Sequence, residues 1–249
     1  MPSDALNGQT VLISGAARRL GAQMARAAHE RGANVAIHYR SSSADADQLV
    51  ADLNAQRADS ALAVAADLID ITTHESLIEK VVGHFGGLNA LINNASTFYP
   101  TPVGSITSKD WDDLMGSNLK APMFLSQAAA PELARRQGAI INLVDIHAQR
   151  PIKDHTVYLS AKAGLYMLTQ SLAVDLGPDV RVNGISPGPI MWPENDITDA
   201  TKASIVDSTL LKRSGDPTDI ARTAMYFLTE APFVTGQIIA VDGGRSLRP

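Results

Sequence analysis

The chain has 249 residues, 45% of them hydrophobic, and contains no cysteine. This composition predicts a globular protein with a large core, and the lack of cysteine excludes disulfides, thiolate catalysis and cysteine-bound metal. A formal net charge of −5 with dispersed basic residues argues against nucleic-acid binding. The polar N-terminus and the lack of an apolar run near the roughly 20 residues of a membrane span favour a cytoplasmic protein with no membrane partner.

Short apolar segments alternate with longer amphipathic ones along the chain. The short segments are typical of strands buried on both faces of a parallel sheet, and they are Thr10–Ser14, Asn34–Tyr39, Ala61–Ala65, Ala90–Ile92, Ala139–Val144, Val180–Ile185 and Gln237–Val241. The predicted helices are Leu20–Arg31, Ala44–Gln56, Thr73–Phe85, Lys109–Arg136 (interrupted by Pro122 and Pro131), Thr156–Leu176 and Pro217–Leu228. This alternation predicts an α/β fold, a Rossmann-type doubly wound seven-stranded parallel sheet.

No linker-like or low-complexity stretch divides the chain, so residues 1–249 are predicted to form one domain. Residues 187–212 contain three prolines and form the longest irregular stretch in this interpretation. Long loops in compact domains are often functional, which predicts a substrate-binding loop or lid here.

A glycine-rich turn follows the first predicted strand and runs from Gly15 through Arg18, Arg19 and Leu20 to Gly21. In an open α/β sheet such a turn lets the backbone approach a pyrophosphate at the helix N-terminus. Arg19 stands where the usual middle glycine is expected. The turn predicts a dinucleotide site, although a plain strand–helix connection also needs Gly15.

The end of the second predicted strand, His38-Tyr39-Arg40-Ser41-Ser42, indicates which dinucleotide binds. NAD sites usually place a carboxylate there to hold the ribose hydroxyls, and this run contains none. An arginine and two hydroxyls suit a 2′-phosphate, which favours NADP. Alternatively, Arg40 only covers an exposed strand end.

Polar residues follow the third and fourth predicted strands, at the sheet end where ligands bind. Asp67, followed by Leu68, is suited to accept a bond from an adenine amino group, and equally suited to cap a turn. Asn94 and Ala95 follow the fourth strand. Asn118 lies inside a predicted helix, where asparagine is disfavoured, which indicates a positional or hydrogen-bonding role.

Tyr158 and Lys162 stand four residues apart at the start of a predicted helix and therefore share one face. A nearby cation favours the phenolate and lowers the pKa of a tyrosine from its usual value of about 10. Such a phenol is a usable proton donor and acceptor. Taken alone, the pair is more simply a packed tyrosine beside a solvated lysine.

Five motifs in order carry a family resemblance, namely S-G-A-A-R-R-L-G, A-D-L, N-N-A-S, Y-L-S-A-K and R-V-N-G-I-S-P-G. Together they resemble the short-chain dehydrogenase/reductase family across essentially the whole chain. The resemblance implies that Tyr158 is the proton donor, that Lys162 lowers its pKa and holds the nicotinamide ribose, and that Asn118 holds a water of a proton relay. It also implies that Pro187 and Gly188 flank the nicotinamide and that the protein is a homotetramer.

Asp145, 13 residues before Tyr158, departs from the family pattern, which generally has a serine there to polarise a carbonyl. A carboxylate would repel a developing alkoxide, so ordinary ketone reduction is disfavoured. It suits instead an N–H-rich heterocycle, or passage of a proton through Tyr158 to a ring nitrogen. Alternatively, Asp145 is a strand-end turn residue.

Asp145 is similar to the substitution found in the pteridine reductase subgroup, and the loop N-N-A-S-T-F-Y-P-T-P agrees. The resemblance implies that Phe98 covers the pterin, that Ser96 contacts pterin and cofactor, and that Arg19 touches phosphate and pterin. Alternatively, Phe98 packs within its loop. The lone His147 and His155 are interpreted as polar loop residues, and no metal site is predicted.

These inferences define a candidate site. The catalytic residues are Asp145, Tyr158, Lys162 and Asn118, and the substrate contacts are Arg19, Ser96, Phe98, Asp145 and Tyr158. The predicted NADPH contacts are Gly15, Arg18, Arg19, Leu20, His38, Tyr39, Arg40, Ser41, Ser42, Asp67, Leu68, Asn94, Ala95, Ser96, Tyr158, Lys162, Pro187, Gly188 and Ile190.

Three functional hypotheses follow. The first is NADPH-dependent reduction of pterins, dihydropterins or dihydrofolate. The second is reduction of a carbonyl such as a 3-oxoacyl thioester or sugar ketone, which Asp145 opposes. The third is a non-catalytic dinucleotide-sensing protein, which the intact Tyr158 and Lys162 oppose. The subgroup resemblance also implies a C-terminal tail that reaches a neighbouring subunit's site, so Arg245 or Arg248 is expected to approach the pterin pocket.

Overall fold

A computed structural model describes residues 5–192 and 198–248. The strands are β1 (Thr10–Ile13), β2 (Asn34–Tyr39), β3 (Ala61–Ala65), β4 (Ala90–Asn93), β5 (Ala139–Leu143), β6 (Arg181–Pro187) and β7 (Ile238–Val241). The helices are α1 (Arg19–His29), α2 (Ser43–Gln56), α3 (His74–Phe85), α4 (Ser108–Met115), α5 (Ala121–Arg135), α6 (Thr156–Leu176), α7 (Asp199–Asp207) and α8 (Pro217–Thr229).

The seven strands form one parallel sheet in the order β3-β2-β1-β4-β5-β6-β7. The strand order reverses between β1 and β4, where Ile13 pairs with Ile92. In open α/β sheets the crevice at such a reversal, beyond the carboxyl ends of the strands, is where ligands bind. The predicted Rossmann-type doubly wound sheet is therefore confirmed.

Two apolar cores cover the opposite faces of the sheet, because successive strand residues point to opposite sides. In β1, Val11 and Ile13 enter one core, where they join Met24 of α1 and Phe227 of α8. The second core takes Leu12 together with residues of α3, α5 and α6, which include Leu77, Leu125 and Leu172. Burial on both faces explains why the strands are almost continuously apolar.

The predicted helix Lys109–Arg136 is divided in the structure. A π-helical turn, Gly116–Lys120, separates α4 from α5, and Pro122 lies in the first turn of α5, where a missing N–H costs little. Pro131, predicted to interrupt the helix, lies inside α5 without ending it. One of the two expected interruptions is therefore wrong.

Residues 187–212 were predicted to be irregular, and α7 within them corrects that expectation. Thr198 caps the start of α7 by accepting a hydrogen bond from Thr201 N–H at 3.2 Å. None of its residues is buried, so the helix lacks the apolar stripe on which a sequence prediction depends. Residues 193–197 of the predicted lid lie outside the described residues.

Within the part of the chain that the structure describes, no helix is long and apolar enough to cross a membrane.

Candidate active site

The glycine-rich turn between β1 and α1 lies against the end of β4. Gly15 has a φ of +61°, and a Cβ there would lie 3.0 Å from the Ala95 Cα. A Cβ on Gly21 would lie 2.5 Å from the Gly15 carbonyl oxygen. Both positions therefore need glycine, and the turn keeps its backbone open to a ligand. Arg19, at the expected middle glycine, adopts a left-handed φ of +55°.

His38 holds this turn in place from the end of β2. Its Nδ1 accepts a hydrogen bond from Gly15 N–H at 3.1 Å, and its Nε2 donates to the Ala66 carbonyl at 3.1 Å. Burial lowers the pKa of His38 to about 4, so the ring is neutral at neutral pH. His38 thus supports the backbone that surrounds the cavity.

A cavity of about 460 Å³ lies at this end of the sheet. Of the predicted cofactor contacts, it brings together Gly15, Arg18, Arg19, Leu20, His38, Tyr39, Arg40, Ser41, Ser42, Asp67, Leu68, Asn94, Ala95, Ser96, Pro187, Gly188 and Ile190. The lining extends from the ends of β2 and β3 past β1 to β6. It includes Gly15 and Gly21, where a Cβ would clash with neighbouring backbone atoms. This arrangement fits a dinucleotide. Tyr158 and Lys162 are not part of this lining.

Several of these side chains also have local structural contacts. Asp67 accepts a hydrogen bond from Ile69 N–H at 3.0 Å, which is the turn-capping role left open by the sequence. Arg18 lies 3.6 Å from Asp45 in an exposed ion pair. Asn94 Nδ2 donates to the Gly15 carbonyl at 3.0 Å and thereby joins the end of β4 to the glycine-rich turn.

Asp145 and Tyr158 are in direct contact. Tyr158 Oη donates to Asp145 Oδ2 at 2.7 Å, while Asp145 Oδ1 accepts from His147 N–H at 2.8 Å. The carboxylate caps a short 3-10 turn, Ile146–Ala148, directly after β5. Asp145 therefore has both the turn role and the contact with Tyr158 that the sequence left as alternatives.

The groups around Tyr158 favour its protonated form. Burial and the negative charge of Asp145 raise the pKa of Tyr158 well above its usual value. Lys162 Nζ donates to the Leu143 carbonyl at 2.8 Å and lies 5.8 Å from the centre of the Tyr158 ring. Burial lowers the pKa of Lys162 to about 8. The protonated phenol is thus the favoured form at neutral pH.

Asn118 lies in the π-helical turn and is fully buried. Its Nδ2 donates to the carbonyls of Thr97 and Leu114, at 2.9 and 3.0 Å, and its Oδ1 accepts from Ser96 Oγ at 2.6 Å. The amide therefore joins the Ser96–Phe98 loop to the helical turn. This accounts for an asparagine in a helix interior, where the sequence predicted a positional or hydrogen-bonding role.

Phe98 is 47% exposed and lies beside Tyr158. Its ring stacks on His155 with centroids 4.6 Å apart and an interplanar angle of 14°. It also meets the Tyr158 ring edge-to-face at 4.8 Å. The ring therefore has the loop packing that the sequence left open as an alternative, and it remains partly open to solvent.

Comparison with known proteins agrees with this arrangement. A family model described as "Enoyl-(Acyl carrier protein) reductase" matches residues 15–246. The chain belongs to the short-chain dehydrogenase/reductase family. It is 34% identical to "Pteridine reductase 1" of Leishmania tarentolae, over 95% of this chain and 96% of that protein. It is also 34% identical to the 3-oxoacyl-[acyl-carrier-protein] reductase FabG of Staphylococcus aureus strain Mu50, over 95% of this chain and 97% of that one.

An uncharacterized oxidoreductase of Mycobacterium tuberculosis is similar to the same degree, at 34% identity over 96% of this chain and 92% of its own length. This short-chain reductase is thus an oxidoreductase that uses a nicotinamide cofactor. Relatives with two different named activities match it equally well by identity, so the substrate class depends on the chemistry of the site.

Six residues of this reductase that line the cavity were not predicted from the sequence, namely Ala17, Gly21, Ile69, Thr97, Ser117 and Met191. Gly21 was visible in the glycine motif as a packing residue. Thr97 and Ser117 carried no signal, because a hydroxyl next to a predicted contact is common in any polar loop. Their hydroxyls are hydrogen-bonded to each other, with Thr97 Oγ1 2.5 Å from Ser117 Oγ.

The C-terminal arginines of this reductase lie in and after a short turn, Arg245–Leu247. Asp242 holds the turn by accepting from Ser246 N–H at 2.6 Å. Partial burial lowers the pKa of Arg245, while the charges of Asp145 and Asp242 oppose that shift. The charge of Asp145 therefore acts on Arg245 within the same chain. Arg248 instead donates to the Asp207 carbonyl at 2.6 Å, at the end of α7.

Proposed function

We propose that this chain is an NADPH-dependent reductase of pterins or dihydropterins, with dihydrofolate as a further candidate substrate. The observation that carries the proposal is the 2.7 Å hydrogen bond from Tyr158 Oη to Asp145 Oδ2. A carboxylate at this distance from the proton donor repels a developing alkoxide. It accepts hydrogen bonds, which suits the N–H groups of a pteridine ring.

A bound nicotinamide supplies the hydride in this class of reaction. Tyr158 holds the proton, because burial and the charge of Asp145 raise its pKa and keep the phenol protonated at neutral pH. Transfer of that proton to a ring nitrogen forms an N–H bond and leaves a phenolate. Lys162, buried and charged below its pKa of about 8, stabilises negative charge in this region.

Phe98 supports a flat aromatic substrate. Its ring is partly exposed and lies edge-to-face against Tyr158. A pteridine that stacks on this ring gains about 0.5–1.5 kcal/mol beyond simple burial. His155 stacks on Phe98 and fixes the orientation of that ring.

NADPH is the proposed cofactor because of the residues at the end of β2. Arg40 is exposed there and lines the cavity with Ser41 and Ser42. These side chains offer a guanidinium and two hydroxyls to a 2′-phosphate, without a repelling carboxylate in the same run. We further propose a cytoplasmic homotetramer.

Asp145→Ala and Tyr158→Phe test the proposal. Each variant should lower kcat for 7,8-dihydrobiopterin at least about 100-fold, the scale of losing a positioned acid. Asp175→Ala, at an exposed acid on the same helix as Tyr158, is the matched control and should keep wild-type activity. NADPH oxidation is followed spectrophotometrically, and full pterin turnover by both active-site variants would rule out this mechanism.

Reduction of 3-oxoacyl thioesters is the second candidate, favoured by the equal identity to the FabG relative. Under the pterin proposal, Asp145→Ser should reduce pterins more slowly than wild type does. Under the second candidate, wild type reduces 3-oxoacyl substrates and no pterin. The same panel of substrates therefore distinguishes the two activities.

A further inference from the structure

Four polar side chains form a continuous hydrogen-bonded row in the interior, between the sheet and the helices α5 and α6. They are Asn93 at the end of β4, Ser126 on α5, Asn142 on β5 and Thr169 on α6. Asn93 is 3% exposed and the other three are fully buried. None of the four lines the dinucleotide cavity, so the proposed reaction does not use them directly.

The directions of these hydrogen bonds follow from the groups involved. The pairing of β4 with β5 places Asn93 beside Asn142, and Asn93 Nδ2 donates to Asn142 Oδ1 at 2.8 Å and to Ser126 Oγ at 3.1 Å. Asn142 Nδ2 donates in turn to Thr169 Oγ1 at 2.9 Å. The single hydrogen of Thr169 goes to the Leu165 carbonyl at 2.8 Å, so this hydroxyl accepts from Asn142.

The bond from Asn142 to Thr169 joins β5 to α6 at one defined point. Neighbouring residues of α6, such as Leu172 and Ala173, contribute to the apolar core on this face of the sheet. Apolar contacts are non-directional and do not by themselves fix where a helix lies along a sheet. A buried N–H without a partner is costly, which favours the one helix position that supplies the acceptor. Threonine is stiff at χ1, so the bond holds the helix backbone closely.

The position of α6 on β5 decides the geometry of the candidate active site. Asp145 follows β5 and Tyr158 lies in the first turn of α6, with Tyr158 Oη 2.7 Å from Asp145 Oδ2. Thr169 lies about three turns, or 16 Å, further along the same helix. Lys162 also reaches β5, at the Leu143 carbonyl, but through a long and flexible side chain. A shift of α6 at Thr169 therefore moves Tyr158 relative to Asp145.

We propose that Thr169 is a positioning residue of this reductase, which fixes α6 on β5 through its bond with Asn142 and thereby holds Tyr158 against Asp145. Thr169 is fully buried, does not line the cavity and acts only through the helix. This inference rests on the part of the proposed function that makes Tyr158 the proton donor. It does not depend on whether the proton goes to a ring nitrogen or a carbonyl oxygen.

Thr169→Val is the test, because valine keeps the shape of threonine and lacks the hydroxyl. The Asn142 amide then has a buried N–H without its acceptor, and α6 is no longer fixed at this point. We expect kcat to fall roughly 10- to 100-fold, since misplacing a reacting group by about 1 Å costs up to about 100-fold. The Kd for NADPH should change less than about 3-fold, because most of the predicted cofactor contacts lie on other elements.

Ser126→Ala is the matched control, at the other end of the same row of side chains. It leaves the Asn93 amide with a buried N–H that has lost its acceptor, which is the same kind of defect. That defect lies on α5, where no predicted site residue is found. Both variants should lower the thermal unfolding temperature, and only Thr169→Val should lower kcat. Thr169→Ser keeps the hydroxyl and should recover most of the rate, although the lost methyl group leaves a small cavity.

A merely structural role of Thr169 predicts a different pattern of rates. The kcat is measured at saturating NADPH and substrate and is corrected for the folded fraction, as judged by circular dichroism. A wild-type kcat in Thr169→Val, or an equal loss of kcat in Ser126→Ala or in Thr169→Ser, would overturn the proposal. If Thr169→Val does not fold, Thr169→Ala takes its place, since alanine is the better helix former, and the same criteria apply.

The proposed function and this inference can fail separately. If wild type reduces carbonyl substrates and no pterin, the proposed function is wrong, and the Thr169 series is measured on the carbonyl substrate instead. If Tyr158→Phe keeps full activity, both are wrong, because Tyr158 is then not the proton donor. A Thr169→Val enzyme with the wild-type kcat, beside an inactive Tyr158→Phe enzyme, contradicts the positioning role alone.

Discussion

His38 is a neutral histidine, and its hydrogen bond with the Gly15 N–H requires that form. Its Nδ1 accepts from Gly15 N–H, so a proton on Nδ1 would direct one N–H at another. Burial lowers its pKa from 6.5 to about 4. Because the unfolded state binds the proton more readily, this site's stabilisation is complete above pH 6.5 and is lost as pH falls through 4.

His38→Asn tests this linkage, because the amide oxygen of asparagine can accept from Gly15 N–H without titrating. Between pH 7 and pH 5 the wild type should lose about 2 kcal/mol more unfolding free energy than the variant. Urea denaturation at both pH values measures the difference. Parallel losses in the two proteins would show that His38 does not carry the pH dependence.

Arg40 is the residue on which the NADPH preference depends. Arg40→Ala should raise the Kd for NADPH about 10- to 100-fold, since a charge-assisted contact to phosphate is lost. The Kd for NADH should stay within about 3-fold, because NADH has no 2′-phosphate. Fluorescence titration measures both constants. Arg135→Ala, at an exposed arginine on α5, is the control, and equal weakening of both cofactors by Arg40→Ala would contradict the assignment.

At the scale of elements, the packing of α1 onto the glycine-rich turn requires glycine at position 21. A Cβ there would meet the Gly15 carbonyl oxygen at 2.5 Å and the Ala16 Cα at 2.7 Å, and both are backbone atoms that cannot rotate away. Gly83, inside α3, is exposed, and a Cβ added there would have no neighbouring atom within 4 Å. The two glycines therefore predict opposite responses to alanine.

Gly21→Ala should lower the unfolding free energy by about 1–3 kcal/mol through overpacking. Gly83→Ala should raise it by about 0.5–1 kcal/mol, because alanine is the better helix former. Thermal unfolding of the two variants and the wild type measures both effects. A neutral or stabilising Gly21→Ala would mean that α1 can shift away from the turn without cost.

Element boundaries were predicted well where burial decides them and poorly where it does not. The β2, β3 and α6 bounds from the sequence match the structure, because strongly apolar segments end at polar turn residues. The π-helical turn at Gly116–Lys120 and α7 were missed. A π-turn leaves no periodic signal of its own, and α7 has no buried face.

At the scale of the whole molecule, α6 presents apolar side chains to solvent. Met167 is 59% and Val174 is 81% exposed, and their spacing of seven residues places them on one face. Trp111, on the neighbouring α4, is 50% exposed. Such a surface is typical of an oligomer interface, and it supports the proposed homotetramer.

The double variant Met167→Glu/Val174→Glu should dissociate the proposed tetramer, because two buried carboxylates per chain oppose helix packing. Light scattering coupled to size-exclusion chromatography should show four chains for the wild type and fewer for the variant. Lys80→Glu, at an exposed position of α3, is the control for a change of charge. A tetramer that persists in the double variant would locate the interface elsewhere.

The sequence by itself determined the sheet, the glycine-rich turn and the spacing of Asp145, Tyr158 and Lys162. These features are local, since they depend on hydrophobic period, backbone freedom and helical repeat. The tertiary structure decided how the groups interact. It joined Tyr158 to Asp145, directed Lys162 to the Leu143 carbonyl and brought Ser96 to Asn118. Burial and the contacts between distant segments decide a pKa, and sequence spacing contains neither.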